Sequence, residues 1–407
     1  MLFWCAAVVF RIKNSRLNRP IGAPMTTEYA KFRNTRFFGS LDGLRAISIA
    51  GVIWFHCWWG TPYFHQFNAI PVLRQGSVGV HVFFVISGFL ITTLLLREQD
   101  RFGKISIRDF YMRRALRIWP VYYATIALYI VVLSVLERGS RDKTFFHYLP
   151  YFLTYTYTWF ISPKWPTGPF NLAWTLATEE QFYAFWPLAL RFLRRAWSSA
   201  LIVALVLLRI AAGYHWTDSI LRPGWLPTRI VLSISVAICF GVLLAQALHS
   251  EKIFGLLYAV LGKKWSAPTA ALFTALCLYP PNPSQLATFL AVASLVGACV
   301  IREDNGLNRL LRFRPVAYMG VLSYGMYLLN SLSIHAIEGL LSAIHVNYPL
   351  LSFPLSIGLA MAAAFVSYRY FESRFLRLKS RFSRLRPEPA AGAPDSIAAE
   401  SGEPVHP

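Results

Sequence analysis

Charged residues are scarce in this sequence. Of its 407 residues, 14% are charged, whereas 56% are hydrophobic and 16% are aromatic; a soluble domain has closer to about 25% charged residues. Apolar stretches recur along almost the whole length. The composition therefore excludes an ordinary soluble domain and predicts an all-α polytopic membrane protein.

The sequence also has few cysteines and no Cys-x-x-Cys pair. Its five cysteines are scattered through apolar surroundings, at Cys5, Cys57, Cys239, Cys277 and Cys299. Cysteines in such places behave as small hydrophobic side chains. The pattern indicates neither a disulfide framework nor a zinc site, and we expect no bound metal.

Acidic residues are few compared with basic ones. The chain has 19 Asp and Glu against 40 Lys and Arg, which gives a formal net charge of +21. The basic residues are grouped in short segments between apolar runs, as in cytoplasmic loops that follow the positive-inside rule. We therefore expect membrane lipid as a partner and no nucleic acid.

Ten membrane spans are predicted. They lie near residues 44–60, 78–96, 116–136, 172–190, 199–213, 228–248, 266–280, 286–301, 316–338 and 350–371. A shorter aromatic run at 148–160 is interpreted as interfacial or re-entrant, because counting it as an eleventh span would move the basic segment 191–195 to the outside. With ten spans, both termini are predicted to be cytoplasmic.

The ends of the chain differ from its apolar middle. Residues 1–37 form a predicted cytoplasmic N-terminal segment, in which 1–24 is a candidate start-site artefact because Met25 lies just before the patterned region. Residues 38–380 form the predicted membrane-embedded domain. The tail 387–407 is rich in Pro, Ala and Gly and is predicted to be disordered.

The stretch LRAISIAGVIWFH carries two polar groups, Arg45 and His56, in an otherwise apolar span. On a helix they lie on nearly the same face, about 16 Å apart along the axis. Such groups are costly in a membrane and mark functional sites by default. Each also has a structural interpretation: Arg45 can be a snorkelling anchor, and His56 can form a helix–helix hydrogen bond.

Two further segments supply arginines and small residues. Arg114 and Arg117 share a face at the start of the third span, where guanidinium groups suit the phosphates of a nucleotide-bearing donor, although charge anchoring is the simpler interpretation. Ser87 and Gly88, in the second span, allow close approach of a helix or a ligand. His81 is either a second polar group of the site or an interfacial residue, and the interface is favoured.

The block WTLATEEQFYAFWP places two carboxylates, Glu179 and Glu180, inside a span. Adjacent helical positions point about 100° apart, so we expect at most one of them to face a site. A carboxylate at such a depth is rarely there for packing alone. Glu179 and His56 have broadly similar predicted depths, so a contact between them is feasible; which glutamate faces the site stays open.

Four blocks of the chain, taken together, resemble the acyltransferase-3 family of integral membrane acyltransferases. They are LDGLRAISIAGVIWFH, GVHVFFVISGFLIT, RRALRIWPVYY and WTLATEEQFYAFWP. Arg45 and His56 match the arginine–ten residues–histidine motif of the family, Arg114 and Arg117 match its RxxR motif, and Glu179 matches its typical glutamate. The resemblance extends from about residue 38 to residue 378.

Some positions depart from the family pattern. The family often has an acidic residue where His81 stands, and Asn330 replaces the usual histidine in LSYGMYLLN, so no catalytic role is expected for Asn330. Glu372 matches the closing block of the family. Many members carry an additional SGNH-type domain, and the short tail after Arg386 leads us to interpret this chain as the stand-alone form.

The resemblance implies an O-acyltransferase that uses acetyl-CoA or another acyl-CoA as donor and holds no bound cofactor. Arg45, Arg114 and Arg117 would bind the donor phosphates at the cytoplasmic face. His56 would act as general base on a sugar hydroxyl, and Glu179 would orient its imidazole. Ser87 and Gly88 would line the site.

The acceptor is left open by the sequence. The resemblance implies a cell-surface carbohydrate such as lipopolysaccharide, or a glycolipid, and a location in the bacterial inner membrane. A small secondary metabolite is an alternative acceptor. A transporter or flippase of glycans or lipids is the alternative from another class, in which Arg, His and Glu form a proton or substrate path; the absence of an evident inverted repeat in the sequence argues against it.

Overall fold

The structure is a computed structural model that describes residues 27–35, 37–59, 71–136, 143–161, 170–280, 282–345 and 349–382. These residues form helices and connecting turns, and no β-strand occurs among them. The all-α prediction is thus confirmed for the described residues. The candidate start-site artefact at 1–24 and the tail predicted to be disordered at 387–407 lie outside them.

The helices are numbered in chain order. They are α1 (Thr27–Asn34), α2 (Gly39–Trp59), α3 (Pro71–Arg74), α4 (Val78–Phe102), α5 (Ile107–Leu136), α6 (Lys143–Leu153), α7 (Tyr157–Phe160), α8 (Ala173–Phe192), α9 (Arg195–Gly213), α10 (Leu226–Ser233), α11 (Val236–Leu248), α12 (Glu251–Leu261), α13 (Ser266–Leu278), α14 (Gln285–Ile301), α15 (Asn308–Leu311), α16 (Arg314–Ala343), α17 (Pro349–Ser367) and α18 (Ser373–Lys379). A π-helical turn, Tyr368–Glu372, joins α17 to α18, and a 3₁₀ turn, Ser380–Phe382, follows. Residues 1–36, with α1, form one unit, and the rest of the chain forms a second.

Fewer helices than predicted are long and apolar enough to cross a membrane. Among the described residues four qualify, namely Val78–Phe102, Ile107–Val135, Arg195–Gly213 and Leu351–Lys379, and the number rises to six if each of two bent helix pairs is one span. Helices of 13 and 17 residues, α13 and α14, are shorter than the roughly 20 residues that a span requires. Each predicted apolar stretch contains helix, but ten spans and the location of the termini are not confirmed.

The aromatic run at 148–160 is not one continuous helix. It is divided between α6, of 11 residues, and α7, of four residues. Each is too short to span a bilayer alone. The segment therefore has the form expected of an interfacial or re-entrant piece.

The predicted span 228–248 is broken at residues 234 and 235, between α10 and α11, and the two parts meet at 52°. Ser235 has extended backbone angles and caps α11, since its hydroxyl accepts a hydrogen bond from the Ile238 N–H at 3.3 Å. A serine at this position satisfies one of the free N–H groups of the new helix. The sequence pattern of a continuous apolar run did not indicate this break.

Close backbone contacts at glycines bring the central helices together. Helix α4 packs most extensively on α11, and α2 packs on both α4 and α16. A Cβ atom on Gly88 would overlap the Ile238 carbonyl, and one on Gly241 would overlap the Val85 carbonyl. Reciprocal glycines therefore let α4 and α11 approach more closely than larger side chains would allow.

The substitution Gly241→Ala should destabilise the fold, because the added methyl group has no space against the Val85 carbonyl. Overpacking of this kind costs about 1–3 kcal/mol, which should lower the midpoint of thermal unfolding of the detergent-purified protein. Gly255→Ala on α12 is the matched control, because a Cβ there meets nothing within 4 Å and alanine favours a helix. Equal midpoints for the two variants would contradict the close-contact argument.

Candidate functional site

Basic side chains from three helices converge at one end of the helical unit. Arg45 of α2 and Arg114 and Arg117 of α5 interact electrostatically, since Arg117 lies within range of both others. Lys379, the last residue of α18, interacts with all three. The structure therefore brings together the three arginines predicted to bind the donor, and it adds a lysine that was not among the predicted site residues.

Nearby carboxylates neutralise part of this cluster. The Asp42 carboxylate accepts a hydrogen bond from Arg45 at 2.8 Å, and Glu372 lies within electrostatic range of Arg117. Arg114 lies over the Tyr183 ring, with 5.7 Å between its guanidinium carbon and the ring centroid. The face of an aromatic ring attracts a cation without removing its charge.

The C-terminal segment is held against α5 by the neighbouring Arg113. Its guanidinium donates to the Phe382 carbonyl at 2.7 Å and to the Glu98 carboxylate at 3.1 Å. Because Lys379 lies three residues before Phe382, this attachment keeps the lysine beside the arginines. Arg113 thus has a structural role.

A hydroxyl–carboxylate network lies beside the arginines. Tyr183 donates a hydrogen bond to the Glu179 carboxylate at 3.0 Å, and the hydroxyl oxygens of Tyr183 and Ser87 are 2.5 Å apart. Glu179 is also within electrostatic range of Arg114 and Arg45. Ser87 therefore does lie among the site residues, whereas Tyr183 was missed, although it stands four residues after Glu179 and hence on the same helix face.

The neighbouring carboxylate, Glu180, points to a different side of α8. The indole N–H of Trp119 on α5 donates to it at 3.2 Å, and its other carboxylate oxygen is buried without a hydrogen-bond partner among the described residues. Both carboxylates lie within electrostatic range of Arg114. Glu179 is the one that is hydrogen-bonded to Tyr183 and lies near Arg45.

The predicted pairing of Glu179 with His56 is not formed. Among the described residues, the imidazole of His56 interacts with the backbone of Val52, one turn earlier, and its Nδ1 makes no well-formed hydrogen bond. Glu179 lies instead near Arg45, which is about 16 Å from His56 along the axis of α2. The expectation failed because predicted depths, taken from span boundaries, placed the two groups at the same level.

Gly88, His81 and Asn330 lie in packed surroundings. Gly88 meets the backbone of α11, so its small size serves helix packing. His81, for which an interfacial position was favoured, packs edge-on against Phe289 with 4.9 Å between ring centroids, and its Nδ1 is buried and unpartnered. Asn330 is buried and donates to the Tyr327 carbonyl at 2.5 Å.

A cavity of about 760 Å³ lies next to this network. His81 and Phe84 of α4, Trp174 and Thr178 of α8, and the break between α10 and α11 contribute to its wall. On α8, the last wall residue, Thr178, directly precedes Glu179; on α4, Phe84 is three residues, about 4.5 Å of helix rise, before Ser87. The cavity thus borders the side of the network that faces the N-terminal ends of α4 and α8.

A family profile described as an acyltransferase domain, that of the acyltransferase-3 family, matches residues 38–369. The chain belongs to this family. With its membrane-length apolar helices, family membership indicates an integral membrane protein. No solved structure is significantly similar to the chain.

Curated relatives share this family's region with the chain. The peptidoglycan O-acetyltransferase OatA of Listeria monocytogenes is 28% identical over 326 residues, covering 74% of this chain and 50% of the relative. The putative peptidoglycan O-acetyltransferase YrhL of Bacillus subtilis is 29% identical over 326 residues, covering 74% of this chain and 49% of the relative. A putative O-acetyltransferase of Staphylococcus aureus is 35% identical over 177 residues, covering 40% of this chain and 26% of the relative. The chain spans at most about half the length of these relatives.

The Ser87–Tyr183–Glu179 network should behave as one unit in unfolding. We expect Ser87→Ala and Tyr183→Phe each to lower the thermal midpoint, and the double variant to lose less than the sum of the two, because either change breaks the same hydrogen bond. Residues within one network show interaction free energies of about 0.5–3 kcal/mol. Thr178→Val is a comparison variant, since among the described residues the Thr178 hydroxyl donates to the Trp174 carbonyl of its own helix. If the losses of the two single variants added up to the loss of the double variant, the three residues would not form one network.

Proposed function

We propose that this chain is a membrane O-acetyltransferase that transfers an acetyl group from acetyl-CoA to a hydroxyl of a cell-envelope carbohydrate. Family membership and the curated O-acetyltransferase relatives support the reaction class. The peptidoglycan named for two of these relatives favours a carbohydrate acceptor. The single observation that carries the donor assignment is the convergence of Arg45, Arg114, Arg117 and Lys379.

The positive charge of this cluster is more favourable when an anionic ligand is bound to it. Asp42 and Glu372 balance only part of the charge of these four basic groups, and an excess of positive charge in a partly buried place is unfavourable until a ligand neutralises it. The donor phosphates supply several negative charges together, and arginine guanidinium groups bind phosphate oxygens through paired hydrogen bonds. The donor then enters from the side predicted to be cytoplasmic.

The chemical step needs a base for the acceptor hydroxyl. His56 accepts the hydroxyl proton while the oxygen forms a bond to the thioester carbonyl carbon, the carbon–sulfur bond breaks, and the proton passes to the departing CoA sulfur. The products are the acetyl ester and CoA thiol, and the imidazole returns to its neutral form. An imidazole with a ring nitrogen not engaged in a well-formed hydrogen bond is available for this transfer.

Glu179 has a different role in this proposal from the one expected from the sequence. Its hydrogen bond to Tyr183 and its proximity to Arg45 and Arg114 make it a positioning residue for the two arginines. The carboxylate holds the guanidinium groups in place and offsets part of their mutual repulsion. Its loss should therefore weaken donor binding as well as slow turnover.

The transporter alternative lacks support from the family and its relatives. It makes one distinct prediction, which is that no CoA thiol is released.

A small secondary metabolite as acceptor would leave the donor chemistry unchanged. Release of CoA thiol together with acetylation of a small molecule and no acetylation of any glycan would favour that acceptor.

The substitution Arg114→Gln should weaken donor binding. A lost charge-assisted hydrogen bond costs about 1.5–3 kcal/mol, so we expect the KM for acetyl-CoA to rise by about ten- to a hundredfold with a smaller change in kcat. Arg108→Gln is the matched control, because Arg108 lies on the same helix but is exposed. CoA thiol release from protein in an uncharged detergent measures both constants, and an equal effect of the two substitutions would contradict a specific donor site.

The substitution His56→Ala should stop transfer while leaving donor binding intact. General base catalysis contributes about 10²–10⁴-fold, and His56 lies about 16 Å along α2 from the nearest donor-binding arginine. Equilibrium binding of CoA and the rate of acetyl transfer would be measured on the same preparation. A variant that retains the wild-type turnover rate would remove His56 from the mechanism, and a variant that fails to bind CoA would assign it a structural role.

A further inference from the structure

The cavity beside the Ser87–Tyr183–Glu179 network is separate from the cationic donor cluster. Its described wall includes Phe84 on α4 and Thr178 on α8 but none of the four basic residues of that cluster. The break between α10 and α11 also forms part of the wall. Irregular backbone at membrane depth is tolerated where it lines a cavity, and the discontinuous helices of transporters place substrate sites at such breaks.

The cavity wall contains an arginine that lacks an ion-pair partner in the part of the chain that the structure describes. Arg209, in the last turn of α9, lines the cavity, and its Nε is buried with no hydrogen-bond partner among the described residues. No acidic side chain among the described residues forms an ion pair with it. The guanidinium of Arg209 lies close to Gly213: a Cβ atom placed on Gly213 would be 2.9 Å from one guanidinium nitrogen. A partly buried guanidinium of this kind is costly unless an anion binds to it.

The other charged groups of the wall are already engaged or are cationic. Asp218, the acidic residue of the described wall, pairs with His215 at 3.1 Å. The Arg229 guanidinium donates to the Phe160 carbonyl at 2.9 Å. The buried Nδ1 of His81 likewise has no hydrogen-bond partner among the described residues. With two arginines and one carboxylate, the described wall has a cationic excess.

The remaining surface of the cavity suits a saccharide. Trp174 and Phe84 form an edge-to-face pair with 6.1 Å between ring centroids, and aromatic faces pack against the C–H faces of sugar rings. Asn171 and Gln285 bring amide groups to the wall, and amides both donate to and accept from hydroxyl groups. An apolar lining with a few polar groups is typical of small-molecule sites, and a volume of about 760 Å³ is within their usual range.

We propose that this cavity binds the acceptor saccharide and that Arg209 selects acceptors with an anionic substituent, a carboxylate or a phosphate. The inference rests on the proposed function, because it takes the donor to bind at the cationic cluster, whose residues are not part of the cavity wall. It assigns the acceptor a chemical class: a negatively charged envelope saccharide. Arg209 is then a specificity-determining residue that takes no part in the transfer itself.

The test compares a charged saccharide with its neutral counterpart. The probe is an oligosaccharide of alternating glucose and glucuronic acid, and its partner is the same oligosaccharide after reduction of the carboxyl groups to alcohols. Binding to wild type, Arg209→Gln and Arg222→Gln is measured by calorimetry in an uncharged detergent. Arg222 is a suitable control because it is exposed and is not one of the residues of the cavity wall. Its guanidinium carbon lies 5.0 Å from the centroid of the Trp225 ring.

We expect wild type and Arg222→Gln to bind the charged probe about tenfold or more tightly than the neutral one, since hydrogen bonds between ionised groups are strong. Arg209→Gln should lose this preference and bind both probes equally, and Arg209→Lys should regain part of it. A phosphorylated oligosaccharide in a third arm identifies which anion is preferred. Wild-type indifference to charge, or a preference that Arg209→Gln retains, would overturn the proposal.

CoA thiol release in the presence of each probe separates this inference from the proposed function. Charge-selective binding that depends on Arg209, with no thiol release from acetyl-CoA, would keep the anionic saccharide site and overturn the acetyltransferase proposal. Thiol release that shows no dependence on acceptor charge would keep the acetyltransferase and overturn the role of Arg209. Thermal midpoints of the variants within a degree or two of wild type exclude misfolding as the cause.

Discussion

Close contact between helix backbones is the constraint on which the site depends. At the crossing of α4 and α11, Gly88 and Gly241 each face a carbonyl of the other helix, and at the crossing of α2 and α16, Gly320 faces the Asp42 carbonyl. Asp42 in turn binds Arg45. Since Ser87 directly precedes Gly88, the packing contact and the polar network share one turn of α4. A shift of this crossing would separate Ser87 from Tyr183 and change the position of Glu179.

Within that frame, the polar groups are arranged by charge. Basic side chains gather near one end of the unit, and the carboxylate of Glu179 lies close to two of them. A separate cavity has in its wall an arginine that forms no ion pair among the described residues. Helix packing does not explain two cationic regions, because apolar or small residues would suffice for it. The arrangement fits a separate anionic ligand at each region.

The sequence predicts the helices well and the depth of their residues poorly. Each predicted apolar stretch contains helix because hydrophobic runs of this length have few other stable forms, and the three arginines singled out in the sequence, at 45, 114 and 117, do lie together. The break at 234–235 was not predictable from hydropathy, since Ile234 and Ser235 lie in a continuous apolar run. A contact between Glu179 and His56 was judged feasible from span boundaries, which are uncertain by about two to four residues at each end.

Three residues of the site and the cavity, Lys379, Tyr183 and Arg209, were not predicted from the sequence, each for a different physical reason. Lys379 is one of many basic residues after the last span, and only the attachment of Phe382 to Arg113 brings it to the cluster. Tyr183 looked like one of the aromatics typical of such a helix, although its spacing from Glu179 puts it on the same face. Arg209 lies in the last turn of an apolar helix, and the sequence does not distinguish it from an anchor that places its charge in water. In the structure its Nε is buried in a cavity wall, and this difference in solvation is the physical basis of the binding role proposed for it.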